Sequence, residues 1–174
     1  MYLNPKQRKE IVLIHFTLWF LNQSQVDDKK LLKQIDNKKY EKKLKEIISI
    51  RKKIINPLSN YIVKTDCKLF RKQKVQLDKQ FMKLKNQFLH KMKLFNNIKK
   101  RKNIDEIYVE FDFISYLILK IMYENKFDIS TYEIVNSCKK LIDYDISHYN
   151  KMSQEEITII ERFMKNLVQT FIEG

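Results

Sequence analysis

Glycine is all but missing from this chain. Gly174 is the only one among 174 residues, Pro occurs only at 5 and 57, and there is no Ala. Tight turns that need positive φ are costly without glycine, so long helices joined by short polar loops are the economical solution. Hydrophobic residues make up 44% of the chain, enough to close a core. The length suits one domain, or one domain carrying a long helical extension.

Polar clusters divide the chain. Pro5 fits the first turn of a helix reaching to about Asn22, with Ile11, Ile14, Leu18 and Leu21 on one face. Asn22-Gln-Ser-Gln reads as a loop, and Asp27-Asp28 sets negative charge at the start of the next helix. From Lys29 to Ile55 apolar residues keep a helical stripe, with Asp36-Asn37 as a point of interruption. Asn56-Pro57 reads as a stop and restart, because the residue before Pro avoids the helical region.

The clearest segment follows. Val63, Phe70, Leu77, Leu84, Lys91 and Ile98 recur every seven residues, and Cys67, Lys74, Phe81, Phe88 and Phe95 form a second such series four residues further on, the two together making a heptad seam. Nine of these eleven are apolar, which predicts a long helix in coiled-coil-like contact. The three Phe of the second series are bulky for a two-stranded coil, so packing inside a hairpin or bundle is expected. Residues 38–55, with Tyr40, Leu44, Ile47 and Ile54, are the expected antiparallel partner.

Beyond Arg101, residues 107–113 alternate as a strand would, yet Ile107, Phe111, Ile114, Ile118 and Ile121 keep a helical period, and 104–124 is read as helix. Ser130-x-x-Glu133 and Ser153-x-x-Glu156 are capping boxes that each open an amphipathic run. The fold expected is all-α. A long antiparallel helical hairpin over about 29–101 lies within a basic region, 1–102. It is packed with or joined to a small, neutral-to-acidic helical bundle at 103–174, the whole forming one structural domain.

Charge is sorted along the chain. Residues 1–102 hold 28 Lys/Arg and 8 Asp/Glu, and residues 103–174 hold 7 and 13, which together give the net +14. Lys outnumbers Arg thirty to five, a bias that an AT-rich genome produces by itself. Codon bias does not separate charge by position, and asymmetry between halves points to contact with nucleic acid or a membrane.

On the long helix Lys72, Lys79, Lys83, Asn86, Gln87, His90 and Lys93 project together, and Lys99, Lys100 and Arg101 extend the positive charge. Flexible cations along a rigid rod suit phosphate contact. Lys rather than Arg argues for backbone contact over base reading. The leading expectation is a non-enzymatic basic protein binding DNA, RNA or a nucleoprotein complex, with Lys72, Lys79, Lys83, Lys93, Lys99, Lys100 and Arg101 as phosphate contacts. A solvated lysine face is the plainer alternative. The second hypothesis, of a different class, is an adaptor or inhibitor, encoded by a phage, plasmid or virus, that docks on another protein or on an acidic surface. Membrane headgroups are disfavoured because the apolar face is wanted by the hairpin. Whether two copies pair is left open.

Other patterns carry less. Asp105, Glu106, Glu110 and Asp112 contain an i, i+4 carboxylate pair of the kind that holds a divalent cation, but acids at a helix start explain them more simply. A helix-turn-helix over 130–172 is opposed by the stretch Asp143–Met152 between its helices and by Glu155, Glu156 and Glu161. Arg8 and His15 resemble the Arg…His motif of HEPN-type ribonucleases. That resemblance would imply an all-α dimeric ribonuclease, although Lys9 stands where that family prefers a smaller polar residue. The histidines and cysteines have no metal-ligand spacing, so neither metal nor cofactor is expected. Cys67 and Cys138 fit reduced, buried thiols in an intracellular protein, cytoplasmic or at the nucleoid or nucleus. The apolar run Ile11–Phe20, interrupted by His15 and Thr17, is too short to span a bilayer.

Overall fold

A computed structural model describes residues 2–99, 107–144 and 153–174, with backbone alone for 94–99 and 107–110. Six helices account for nearly all of them: α1 (Pro5–Leu32), α2 (Lys38–Asp66), α3 (Arg71–Lys99), α4 (Ile107–Glu124), α5 (Tyr132–Tyr144) and α6 (Gln154–Glu173). No strand occurs among the described residues, so the alternation at 107–113 belongs to a helix.

The organising element is α1. Asn4 caps it, accepting from the Gln7 backbone N–H at 2.8 Å while the Gln7 side chain accepts from the Asn4 N–H at 3.0 Å, and Pro5 occupies the first turn. Its middle is buried nearly all round: Ile11, Val12, Leu13, Ile14, Phe16 and Leu21 are fully inaccessible, and only His15 and Trp19 are half-buried. A helix apolar all round belongs at the centre of a bundle. α2, α3, α4 and α6 all pack against it, and α4 in turn carries α5 and α6.

Three expectations about where the helices run and what they pack against are corrected. The loop read at 22–25 does not form, and α1 runs straight through it. Ser24 and Gln25 are buried, and the Gln25 side chain bonds across to α2, so their polarity serves a neighbouring helix rather than solvent. Asn56-Pro57 does not end α2 either. Pro57 lacks the N–H that would reach the Lys53 carbonyl, but both residues are exposed and water can take that carbonyl, while Ile54 and Leu58 anchor the buried side. The break predicted at 36–37 is real: Asn37 accepts from the N–H groups of Lys39 (3.1 Å) and Tyr40 (3.3 Å) and starts α2.

The third correction concerns the seam. A turn at Cys67–Phe70 cuts the predicted long helix, leaving Val63 62% and Phe70 52% exposed, and it puts Cys67 at the surface, so of the two thiols expected to be buried only Cys138 is. From Leu77 to Phe88 the pattern holds, with Leu77, Leu84 and Phe88 buried and Phe81 half-buried, but beyond it Met92 is buried and the expected seam residue Lys91 is exposed. Its partner is α1 rather than 38–55. Phe88 meets Phe16, Trp19 and Phe20 at ring-centroid distances of 6.1, 6.1 and 4.6 Å. α2 packs instead on α1 and α5. The side chains of Phe95 and Ile98 lie outside the described residues.

α4 closes with Lys126 at φ 61°, the Phe127 N–H reaching the Met122 carbonyl and the Lys126 N–H reaching the Tyr123 carbonyl. This is a Schellman cap, whose left-handed residue is ordinarily glycine. Thr131, not Ser130, caps α5, its hydroxyl accepting from the Ile134 N–H at 3.3 Å. Ser130 is buried and donates to the Leu119 carbonyl. Ser153 caps α6 as expected, and Ile157, Ile160, Met164 and Val168 face the core.

Candidate nucleic-acid interface

The outer face of α3 is held in place by its inner one. With Leu77, Leu84, Phe88 and Met92 fixed against the core, the helical period turns Lys72, Lys79, Lys83 and Lys93 to solvent, and all four are exposed. Asn86, Gln87 and His90 are exposed with them. From residue 72 to 93 the row runs about 31 Å along the axis. Asp78 is the one acid of α3. None of the four lysines has a carboxylate within ion-pair distance among the described residues. Lys99 ends α3 with its side chain undescribed, and Lys100 and Arg101 lie outside the described residues.

Other cations are already engaged. Lys85 stands over the Trp19 ring at 4.8 Å and Lys91 over Phe163 at 5.9 Å, so both help to seat α3. Lys45 pairs with Glu41 on exposed α2, a contact of little energy.

The most heavily constrained charges are inside. Arg51 lies on the apolar stripe of α2 between Ile47 and Ile54, 1% exposed. Its Nε donates to Asp112 Oδ1 at 3.0 Å and its Nη2 to Asp112 Oδ2 at 2.7 Å. Nη2 also lies 2.7 Å from Asp28, and Nη1 donates to the Gln25 side chain at 2.8 Å. Burial alone would lower the Arg51 pKa. Asp112, followed by Asp28, more than offsets it and holds the guanidinium above its ordinary range. Cys138 is fully buried beside the Asp112 carbonyl, and desolvation, with help from Asp112, pushes its thiol well above the usual value. A third buried carboxylate, Glu10, accepts from the Tyr61 hydroxyl and from the Ile129 N–H at 3.3 Å. Burial first, and then the Glu10 bond, push the Tyr61 phenol upward.

The lesser sequence patterns separate in space. Asp112 of the acidic cluster is committed to Arg51, the Glu110 side chain is undescribed, and Asp105 and Glu106 lie outside the described residues. No group of three His, Cys, Asp or Glu side chains suited to a metal occurs among the described residues. Arg8 donates to the Leu3 carbonyl at 2.9 Å, and the half-buried His15 ring lies 6.2 Å from Phe81 of α3. α5 and α6 both pack on α4. Among the described residues no helix is long and apolar enough to cross a membrane.

The buried ionic node escaped sequence reasoning, although it left a signal. Arg51 interrupts the stripe Leu44, Ile47, Ile54, Leu58 at a core position, and Asp112 sits among apolar neighbours. No protein-family model matches the chain, and no curated protein or solved structure matches it either.

Proposed function

We propose that the chain is a non-enzymatic protein that binds nucleic acid, or a nucleoprotein complex, through the outer face of α3. The observation that carries this reading is the row Lys72, Lys79, Lys83 and Lys93, exposed together on one rigid helix and without carboxylate partners among the described residues. A helix fixed by its buried face loses little freedom when its cations meet phosphates, and released counterions supply the driving force. Lysines bind phosphate as point charges, so the contact is made to the backbone, with Asn86, Gln87 and His90 near enough along the face to touch sugar or base edges.

Reversal of the four lysines to Glu tests it. Affinity for a short duplex falls by at least about a hundredfold, because four attractions to phosphate become repulsions. Helicity and thermal midpoint stay near those of the unmodified chain. Unchanged affinity in a folded variant would remove α3 as the binding face.

A further inference from the structure

Val75, Met82 and Leu89 are 47%, 45% and 44% exposed. They recur every seven residues on the solvent side of α3, along one flank of the cationic row. Phosphate contact makes no use of them. The core does not use them either, since it takes Leu77, Leu84, Phe88 and Met92 from the opposite side.

Residues at i, i+3, i+4 and i+7 of a helix frame a hole that receives one side chain of a facing helix. Val75, Asp78, Lys79 and Met82 are such a set, and they line a shallow depression on the surface of α3. Met82, Lys85, Asn86 and Leu89 repeat the frame one heptad later. α3 therefore presents two successive holes, apolar at their ends, with Asp78 and Lys79 at the sides of the first and with Asn86 and the half-buried Lys85, whose ammonium lies over Trp19, at the sides of the second.

We infer that this face seats an acidic amphipathic helix of another protein. The holes ask for an apolar side chain every seven residues, and the rim asks for carboxylates, because Lys79, Lys83 and Lys93 border the strip against the single acid Asp78. A second copy of the chain fits less well. Run antiparallel about Met82, it brings Val75 against Leu89, but it also sets Lys79 and Lys83 against the same lysines of the other copy. An anionic membrane fits less well too, since interfacial helices bury a broad apolar face and this strip is one residue wide. The seat stands independently of nucleic-acid binding, but a helix lying in it covers Lys79 and Lys93, so the two occupants compete.

The probe is a synthetic four-heptad helix with Leu at every seventh position and Glu on both flanks, and its control carries Gln for each Leu at equal charge. With the full chain, the Leu peptide binds at least about tenfold tighter than the Gln peptide by fluorescence anisotropy. Val75→Ser/Met82→Ser/Leu89→Ser erases that preference and leaves any affinity for duplex DNA unchanged. Met82→Glu alone gives the same loss and serves if the triple variant loses helicity. Equal affinity for the two peptides, or a preference that survives substitution, overturns the inference. So does a dimer in sedimentation that the triple variant dissolves, which would assign the seat to a second copy. The peptide titration contains no nucleic acid, so its outcome is read apart from whether the chain binds DNA or RNA.

Discussion

Arg51 of α2 and Asp112 of α4 meet in a two-point ion pair, Nε to Oδ1 at 3.0 Å and Nη2 to Oδ2 at 2.7 Å, with the guanidinium 1% exposed. Asp28 and Gln25 of α1 complete the shell, so one side chain ties three helices together. A buried pair of this kind is costly to break, because the remaining charge has nowhere to go. Asp112→Ala is expected to destabilise the chain by about 3–5 kcal/mol in urea unfolding. Arg51→Met is expected to cost at least as much, since it leaves Asp28 and Asp112 buried side by side. Arg51→Lys should not rescue, because an ammonium cannot reproduce the fork. Loss of under about 1 kcal/mol in either of the first two variants would mean that the node contributes little to stability.

Lys126 occupies the left-handed residue of the α4 cap at φ 61°. Lysine pays a steric penalty there that glycine avoids. Lys126→Gly is expected to raise stability by about 0.5–1 kcal/mol, net of the entropy glycine adds to the unfolded chain. The bond from Lys6 Nζ to the Lys126 carbonyl, at 2.9 Å, involves only backbone at 126 and survives the change. A lower thermal midpoint for the variant would contradict the assigned conformation.

Alkaline pH should weaken the fold through Cys138. Its folded pKa is raised by burial, so above the ordinary thiol value of 9.0 the unfolded chain loses a proton that the folded chain keeps. The stabilisation is complete below that pH and declines above it, by up to about 1.4 kcal/mol per pH unit. Tyr61, also raised, adds a decline of the same sign above its ordinary value of 10.0. Cys138→Ala is expected to flatten the stability curve between about pH 9 and 10 relative to the unmodified chain. Curves that stay parallel would show that the thiol does not titrate on unfolding.

The class of fold could be read from what the chain lacks, and the regular spacing of Ile157, Ile160, Met164 and Val168 located α6 on a single buried face. Period does not name a partner, however. The seam at Leu77, Phe81, Leu84 and Phe88 was legible as a buried stripe, but nothing in it distinguishes 38–55 from α1, and α1 wins because it is apolar on every side. Ser24 and Gln25 looked like a loop because local composition carries no record of a partner such as Arg51, twenty-six residues beyond Gln25. Pro57 looked like a stop because its effect depends on which face it occupies, and here Pro57 and Lys53 are both exposed. Of the candidate site, the outward projection of Lys72, Lys79, Lys83 and Lys93 follows from helical spacing alone. The strip Val75, Met82 and Leu89 is hidden in the sequence, because three isolated apolar residues stand out only once the other face is known to be buried.

The lysine row is tested most directly by the affinity of the chain for a short duplex DNA and a matched RNA across a salt series from about 50 to 200 mM. Binding through the row predicts a steep fall of log K with log salt, and a slope reduced by up to about four when Lys72, Lys79, Lys83 and Lys93 are reversed together. Absence of binding at the lowest salt, or a slope that the four reversals leave untouched, would contradict it.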